Sequence, residues 1–301
     1  PELPGTLVAQ VVASPHARAA ITRRDATVAR AMPGVHAVLF CEDVPGDNLI
    51  GPIVHDEPLL AQDEVFCHGQ IVALVVGETY DICRAAASAV EVDYNVKPAV
   101  LDIPSAIAAE SWLTEAHTIA RGDVEGALST AVERVEGTFT SGYQDHFYLE
   151  TQAALVVPGE DQTFHVYAST QHPSEVQKLV AHVLGVSAFK VVCEVPRMGG
   201  AFGGKESQAS QWTCLAALGA QVTGRPVKVW LDRDQDMHWT GGRHPCLSRY
   251  EAGFDADGRL TALRVQLWVD GGWSIDLSGP ILDRALFHLD SAYFIKHLSF
   301  V

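Results

Sequence analysis

Along the first hundred positions, apolar residues recur with two different periods. Leu7–Ala13 and Val35–Phe40 read as strands, and Gln70–Val76 is a nearly continuous apolar run, long enough for a buried strand but too short for a helix. Ala26–Met32 reads as a short helix stopped by Pro33-Gly34, Tyr80–Val90 as an alanine-rich helix, and Val90–Tyr94 as a returning strand. Together they predict one α/β unit over roughly residues 1–112. The stretch Asn95–Trp112 then runs into Leu113–Asp123, which is more polar and irregular and reads as a linker.

A second unit begins near Ala131. Arg134–Thr140, Ala153–Pro158 and Phe164–Ser169 alternate as strands. A helix follows, with Pro173 in its first turn, apolar residues at Val176, Leu179, Val180, Val183 and Leu184, and Gly185 closing it. The strand Lys190–Val195 leads into a glycine-rich loop, a helix over Ser207–Val222 ended by Gly224 and Pro226, and the strand Val227–Leu231.

Composition narrows the class. The chain has 301 residues, 48% hydrophobic and 19% charged, enough for well-buried cores and for two domains. A net charge of −16 would be repelled by nucleic acid phosphates, so no nucleic acid partner is expected. Apolar runs fall far short of a membrane span, and no charged-then-apolar leader opens the chain, so no membrane is expected either. Six scattered cysteines without a Cys-x-x-Cys pair read as thiols in a reducing, cytoplasmic compartment, and they encode no local iron–sulfur site. Because the chain starts at Pro1, it reads as a piece of something longer.

The segment Arg197-Met-Gly-Gly-Ala-Phe-Gly-Gly-Lys-Glu206 carries the most chemistry. Four glycines in six residues allow a ligand close to the backbone amides, and the following helix begins with unpaired donors. A strand, glycine-rich loop and helix in this order suit an oxyanion, a phosphate or a metal-oxo group. Gly199 to Lys205 also spells the phosphate-cradling pattern of nucleotide-binding loops, but Glu206 stands where Ser or Thr would hold magnesium. Gln171 lies at a strand–helix boundary, where it either caps the helix or donates to a group held by the loop. His172 reads as structural. Arg284, at the edge of an apolar stretch, is by itself a surface or capping residue.

Five elements occur together and in order: Gln-Asp-His-Phe-Tyr-Leu-Glu-Thr (144–151), Ser-Thr-Gln (169–171), the glycine-rich loop (197–206), Gly-Gly-Arg-His-Pro (241–245) and Asp-Arg-Ala-Leu-Phe-His (283–288). With Pro-Gly-Thr-Leu (4–7) and Asp43-Val-Pro-Gly46, they resemble the xanthine dehydrogenase branch of the molybdenum hydroxylases across essentially the whole chain.

That resemblance implies a mixed α/β, α+β fold: an α/β hammerhead-like domain over residues 1–118, then the first part of a molybdopterin-binding domain over residues 119–301. It implies a pterin-held molybdenum that hydroxylates xanthine or hypoxanthine to urate. Electrons would leave through 2Fe-2S clusters and FAD on other segments to NAD. Gln171 would hydrogen-bond an oxo group, and Gly200, Phe202 and Gly203 would approach the cofactor, with Gln171 and Phe202 in the molybdenum environment. Glu206 and Arg284 would be the catalytic pair that orients the purine, with Leu277 lining the same pocket. Aldehyde oxidases resemble the chain too but usually carry apolar residues at the Glu206 and Arg284 positions; an aldehyde or another N-heterocycle is the alternative substrate. The catalytic base is expected beyond Val301, in the remaining part of the molybdenum subunit, so the segment alone is expected to be inactive.

Overall fold

The computed structural model describes residues 3–301. Two compact units divide the chain, and they are interleaved: one holds residues up to Ala99 together with Asp145–Gly242, the other holds Val100–Gln144 and Arg243–Val301. The compact units therefore cut across the linear division expected at 118/119.

The first unit is built on a seven-stranded mixed sheet. Its order is Val191–Glu194, Phe164–Ala168, Ala153–Pro158, Val227–Trp230, Leu7–Ala13, Ile71–Gly77 and Val35–Leu39. The N-terminal elements thus share a sheet with the later ones. Leu7 pairs in parallel with Val227, while Ile71–Gly77 runs antiparallel to Leu7–Ala13. Every residue of Ile71–Gly77 is buried, which explains its unbroken apolar sequence.

The helices Pro173–Leu184 and Gln208–Thr223 pack with this sheet in one core cluster. The first has Pro173 at its start and Gly185 in the left-handed conformation at its end (φ 65°), as the sequence leads one to expect. The second buries Trp212, Cys214, Leu215 and Leu218, so its small alanines are what let it lie within the core. Burying each of those larger side chains contributes about 1.5–3 kcal/mol. A smaller three-stranded sheet joins Glu64–Val65, Ala19–Asp25 and Glu91–Val96.

The second unit is a five-stranded sheet in the order Glu133–Ser141, Cys246–Phe254, Leu260–Val269, His297–Phe300, Ile119–Arg121. Part of the stretch expected to be a linker is folded, as is the chain just before it. Asp102 caps the helix Ile103–Ala108 by accepting from the Ser105 N–H, and Ile119–Arg121 is a strand. Residues from Val100 to His117 form one wall of a cavity of about 740 Å³, with Trp112, Leu113, Trp268, Leu282 and Leu286 among its lining. Polarity alone suggested a connector, whereas the strand Ile119–Arg121 and the cavity-lining residues Leu113–His117 make that stretch part of a domain.

Candidate functional site

Strand register in the first unit gathers the notable segments at one end of its sheet. Ala153 pairs with Trp230, Ala154 with Ala168, and Tyr167 with Glu194. The residues just before Ala153 and just after Ala168, Glu194 and Trp230 therefore meet at that end. They are the 144–151 motif, Ser169–Gln171, the glycine-rich loop, and the turn entering the helix Arg233–Trp239.

The glycine-rich loop lies directly on the 146–150 segment. A Cβ on Gly199 would sit 2.5 Å from Glu150 Cβ, and one on Gly204 2.7 Å from the Tyr148 ring. No larger residue fits at either place without displacement. Phe202 is held at φ 55°, a conformation a bulky residue rarely adopts, and is 65% exposed. Strain of this kind persists only where the surroundings fix it, and it collects at functional sites.

Gln171 does not cap the helix; His172 occupies that position without a side-chain capping bond. Instead, Gln171 Oε1 accepts from the N–H of Gly203 at 3.0 Å and of Lys205 at 3.3 Å. Two backbone donors fix which end of the amide is oxygen. The residue is exposed, and with Oε1 so occupied its Nε2 group remains as a two-hydrogen donor. The Gly203 N–H, expected to face a bound group, is committed to Gln171.

Lys205 is 0% exposed. Its Nζ donates to Glu150 O at 2.7 Å, Ser169 Oγ at 2.8 Å and Thr151 O at 3.3 Å, and lies 3.4 Å from Glu150 Oε2. Burial pushes the ammonium below its ordinary value, with Glu150 pulling the other way. For Glu150, burial raises the carboxyl, but the Gly199 N–H, the Ser169 hydroxyl and the Lys205 charge together hold it below the usual range. Both net shifts are downward, which favours charge on Glu150 and opposes it on Lys205, the more deeply enclosed partner; the four oxygens around Nζ favour the charged form of the lysine. A lysine so enclosed cannot reach a nucleotide phosphate, and this removes the nucleotide-loop reading.

Beneath the loop, the Tyr148 hydroxyl donates to Asp236 Oδ1 at 2.7 Å, and the Gln152 N–H donates to Asp236 Oδ2 at 2.6 Å. Gln152 Nε2 donates to Tyr148 Oη and to Gly204 O. Within the 144–151 motif, Tyr148 and Thr151 are thus the buried supports under the loop, while Phe147 and Leu149 are exposed. Neither Lys205 nor Asp236 announces itself in sequence as buried; the capping box Asp232-x-x-Gln235 was the available signal for the helix that carries Asp236.

Glu206 is exposed and precedes the helix Gln208–Thr223. Arg284 and Leu277 belong to the other unit, on and at the start of the helix Ser278–Phe287. Seven positions apart, they share one face of it. Arg284 is exposed, with Nη1 3.1 Å from His288 Nε2. Neither residue lines the 740 Å³ cavity, whereas the neighbouring Asp283 does and meets His117 at 2.6 Å.

Residues 108–301 match the family model for the molybdopterin cofactor-binding domain. The chain belongs to that family. Residues 2–98 match the a/b hammerhead domain of aldehyde oxidase and xanthine dehydrogenase. The chain is 42% identical to a xanthine dehydrogenase of Calliphora vicina over 99% of its length, and 43% identical to one of Oryza sativa subsp. japonica over the same share. It spans 22% of each relative's length. An aldehyde oxidoreductase from Desulfovibrio gigas superposes with a TM-score of 0.92 at 28% identity, covering 99% of this chain and 35% of that one.

The donors in this molybdopterin-binding domain suit the group its family is named for. Oxo oxygens call for neutral donors that stabilise charge without adding a competing ligand. The Nε2 of Gln171, whose Oε1 is taken by the loop amides, is such a donor, and the glycines and Phe202 of the anchoring loop add no charge between Gly199 and Gly204. All six cysteines are free, with Cys41, Cys83 and Cys214 buried and the other three half-buried. No helix among the described residues is long and apolar enough to cross a membrane.

Proposed function

We propose that this chain is the first part of the molybdenum-carrying portion of a cytoplasmic oxidoreductase that hydroxylates xanthine or hypoxanthine to urate. Gln171, an exposed residue whose amide oxygen is anchored by the glycine-rich loop, is the observation that carries the reading. When bound, the pterin-held molybdenum supplies two-electron redox and oxygen-transfer chemistry. Gln171 donates to it, and Gly200, Phe202 and Gly203 form the backbone approach beside it. Glu206 accepts from ring N–H groups of the purine, and Arg284 donates to its carbonyl oxygen, where charge builds during attack. Leu277 lines the apolar side of the pocket. Iron–sulfur and FAD segments outside this chain take the electrons on to NAD, and the rest of the molybdenum portion supplies the catalytic base. A domain boundary near 118/119 remains part of the proposal.

The two retained charges, Glu206 and Arg284, favour a purine over an aldehyde. The test is xanthine-to-urate turnover against benzaldehyde oxidation, with molybdenum analysis, on the full-length protein from its native source. Strong preference for xanthine supports the purine assignment. Preference for benzaldehyde keeps the cofactor and overturns the substrate, and a protein without molybdenum overturns the whole reading.

A further inference from the structure

Lys205 is an enclosed charged residue that the proposed chemistry leaves without a role. All three of its polar groups address the segments that shape the site. Its N–H donates to Gln171 Oε1, and its carbonyl accepts from the Gln171 N–H at 2.9 Å and from Thr170 Oγ1 at 3.1 Å. Its ammonium closes on the carbonyls of Glu150 and Thr151 and on Ser169 Oγ. The ring of Tyr148 completes the enclosure, 4.6 Å from Nζ. Glu150, held by the same ammonium, accepts from the Gly199 N–H at 2.7 Å and so ties down the opposite end of the loop.

We infer that Lys205 is a positioning residue: its buried ammonium locks the glycine-rich loop against residues 150–151 and 169–171, and thereby fixes the direction in which the Gln171 amide donates. The inference rests on the proposed cofactor site. A purely structural lysine would satisfy its charge without touching Gln171, whereas here the main chain of the same residue holds both the backbone and the side chain of Gln171. Rotation of the Gln171 amide would place its NH2 against two N–H donors, so the loop backbone defines the donor's orientation. The ammonium in turn holds that backbone in place.

The experiment uses the full-length holoenzyme with Lys205→Met and Ser169→Ala, the latter removing one Nζ acceptor and one Glu150 donor. Molybdenum content, the Mo(V) electron paramagnetic resonance spectrum and steady-state kinetics are measured on each. Lys205→Met is expected to lower kcat per molybdenum by about 10–100-fold, as loss of an outer-shell partner typically does. KM should stay nearly constant, and the Mo(V) spectrum should shift. Ser169→Ala should shift the spectrum in the same direction by less. In the Gln171→Ala background, Lys205→Met should produce little further loss of kcat, because the residue it orients is gone. If both folded variants keep the wild-type spectrum and kcat per molybdenum, Lys205 is structural only and the inference fails. Should Lys205→Met not fold, Ser169→Ala decides alone: a shifted spectrum supports the lock, an unshifted one overturns it. Wild-type protein without molybdenum is a different failure, that of the cofactor reading.

Discussion

Tyr148 donates its hydroxyl to Asp236 across 88 positions of sequence, and the carboxylate that receives it is only 2% exposed. Asp236 also accepts from the Gln152 N–H, so one buried side chain joins the motif before a strand to the helix after another. Asp236→Ala is expected to leave two buried donors unmet and to cost about 1–3 kcal/mol for each. Tyr148→Phe removes that bond and the one Tyr148 accepts from Gln152 Nε2, which keeps its bond to the Gly204 carbonyl, and should cost about 1–2 kcal/mol. Equilibrium denaturation of the two variants checks the order; equal losses would contradict the network.

Glu206→Ala and Arg284→Met are each expected to lower kcat/KM for xanthine by about 10–100-fold, the size of one lost hydrogen bond to a charged group. Aldehyde turnover should be nearly unchanged. Equal loss on both substrates would remove the assigned roles, since a general defect in the site does not discriminate.

Gly199→Ala and Gly204→Ala force a methyl group into the 146–150 segment. Overpacking of this kind costs about 1–3 kcal/mol. The lower melting temperature should come with reduced molybdenum content, because the same loop carries the Gln171 anchor. Full molybdenum occupancy in a destabilised Gly204→Ala would separate loop geometry from cofactor retention.

His244 sits half-buried, with Nε2 2.9 Å from Ser278 Oγ. Burial depresses its pKa, only partly offset by Asp276 and Asp270. The unfolded chain therefore binds the proton more readily than the folded one. His244 contributes stability that is complete above about pH 6.5, the ordinary histidine value, and is lost as pH falls through the depressed folded value. Chemical denaturation at pH 7.5 and pH 5.5 should show a smaller loss of stability in His244→Gln than in wild type. Parallel losses would mean that another group sets the acid response.

Where burial is one-sided or complete, the sequence speaks clearly. Leu7–Ala13 and Ala153–Pro158 carry the bounds expected of them, and the helix from Pro173 to Leu184 has its punctuation at both ends. Ala19–Asp25 stays hidden, because its Thr-Arg-Arg-Asp half is partly exposed and carries no apolar alternation. Cys246–Phe254 and Leu260–Val269 are half-buried along much of their length, which blurs the two-residue period. At the site, glycine spacing marks the loop, but nothing local marks Lys205 as enclosed. Its partners come from residues 34 to 55 positions earlier, and only the fold brings them together.

The interleaved order of the first unit also has a kinetic side. Arg225 reaches back 220 positions to donate to the Gly5 carbonyl, and Val227–Trp230 fills the place between Leu7–Ala13 and Ala153–Pro158. At about 5–20 residues per second, a ribosome needs on the order of ten seconds or more to deliver that strand after the first has emerged. Through that interval the apolar strand Leu7–Ala13 lacks its parallel neighbour. The central sheet is thus one that a nascent chain must wait to close, and an unpaired apolar edge is what a holding chaperone would meet during synthesis.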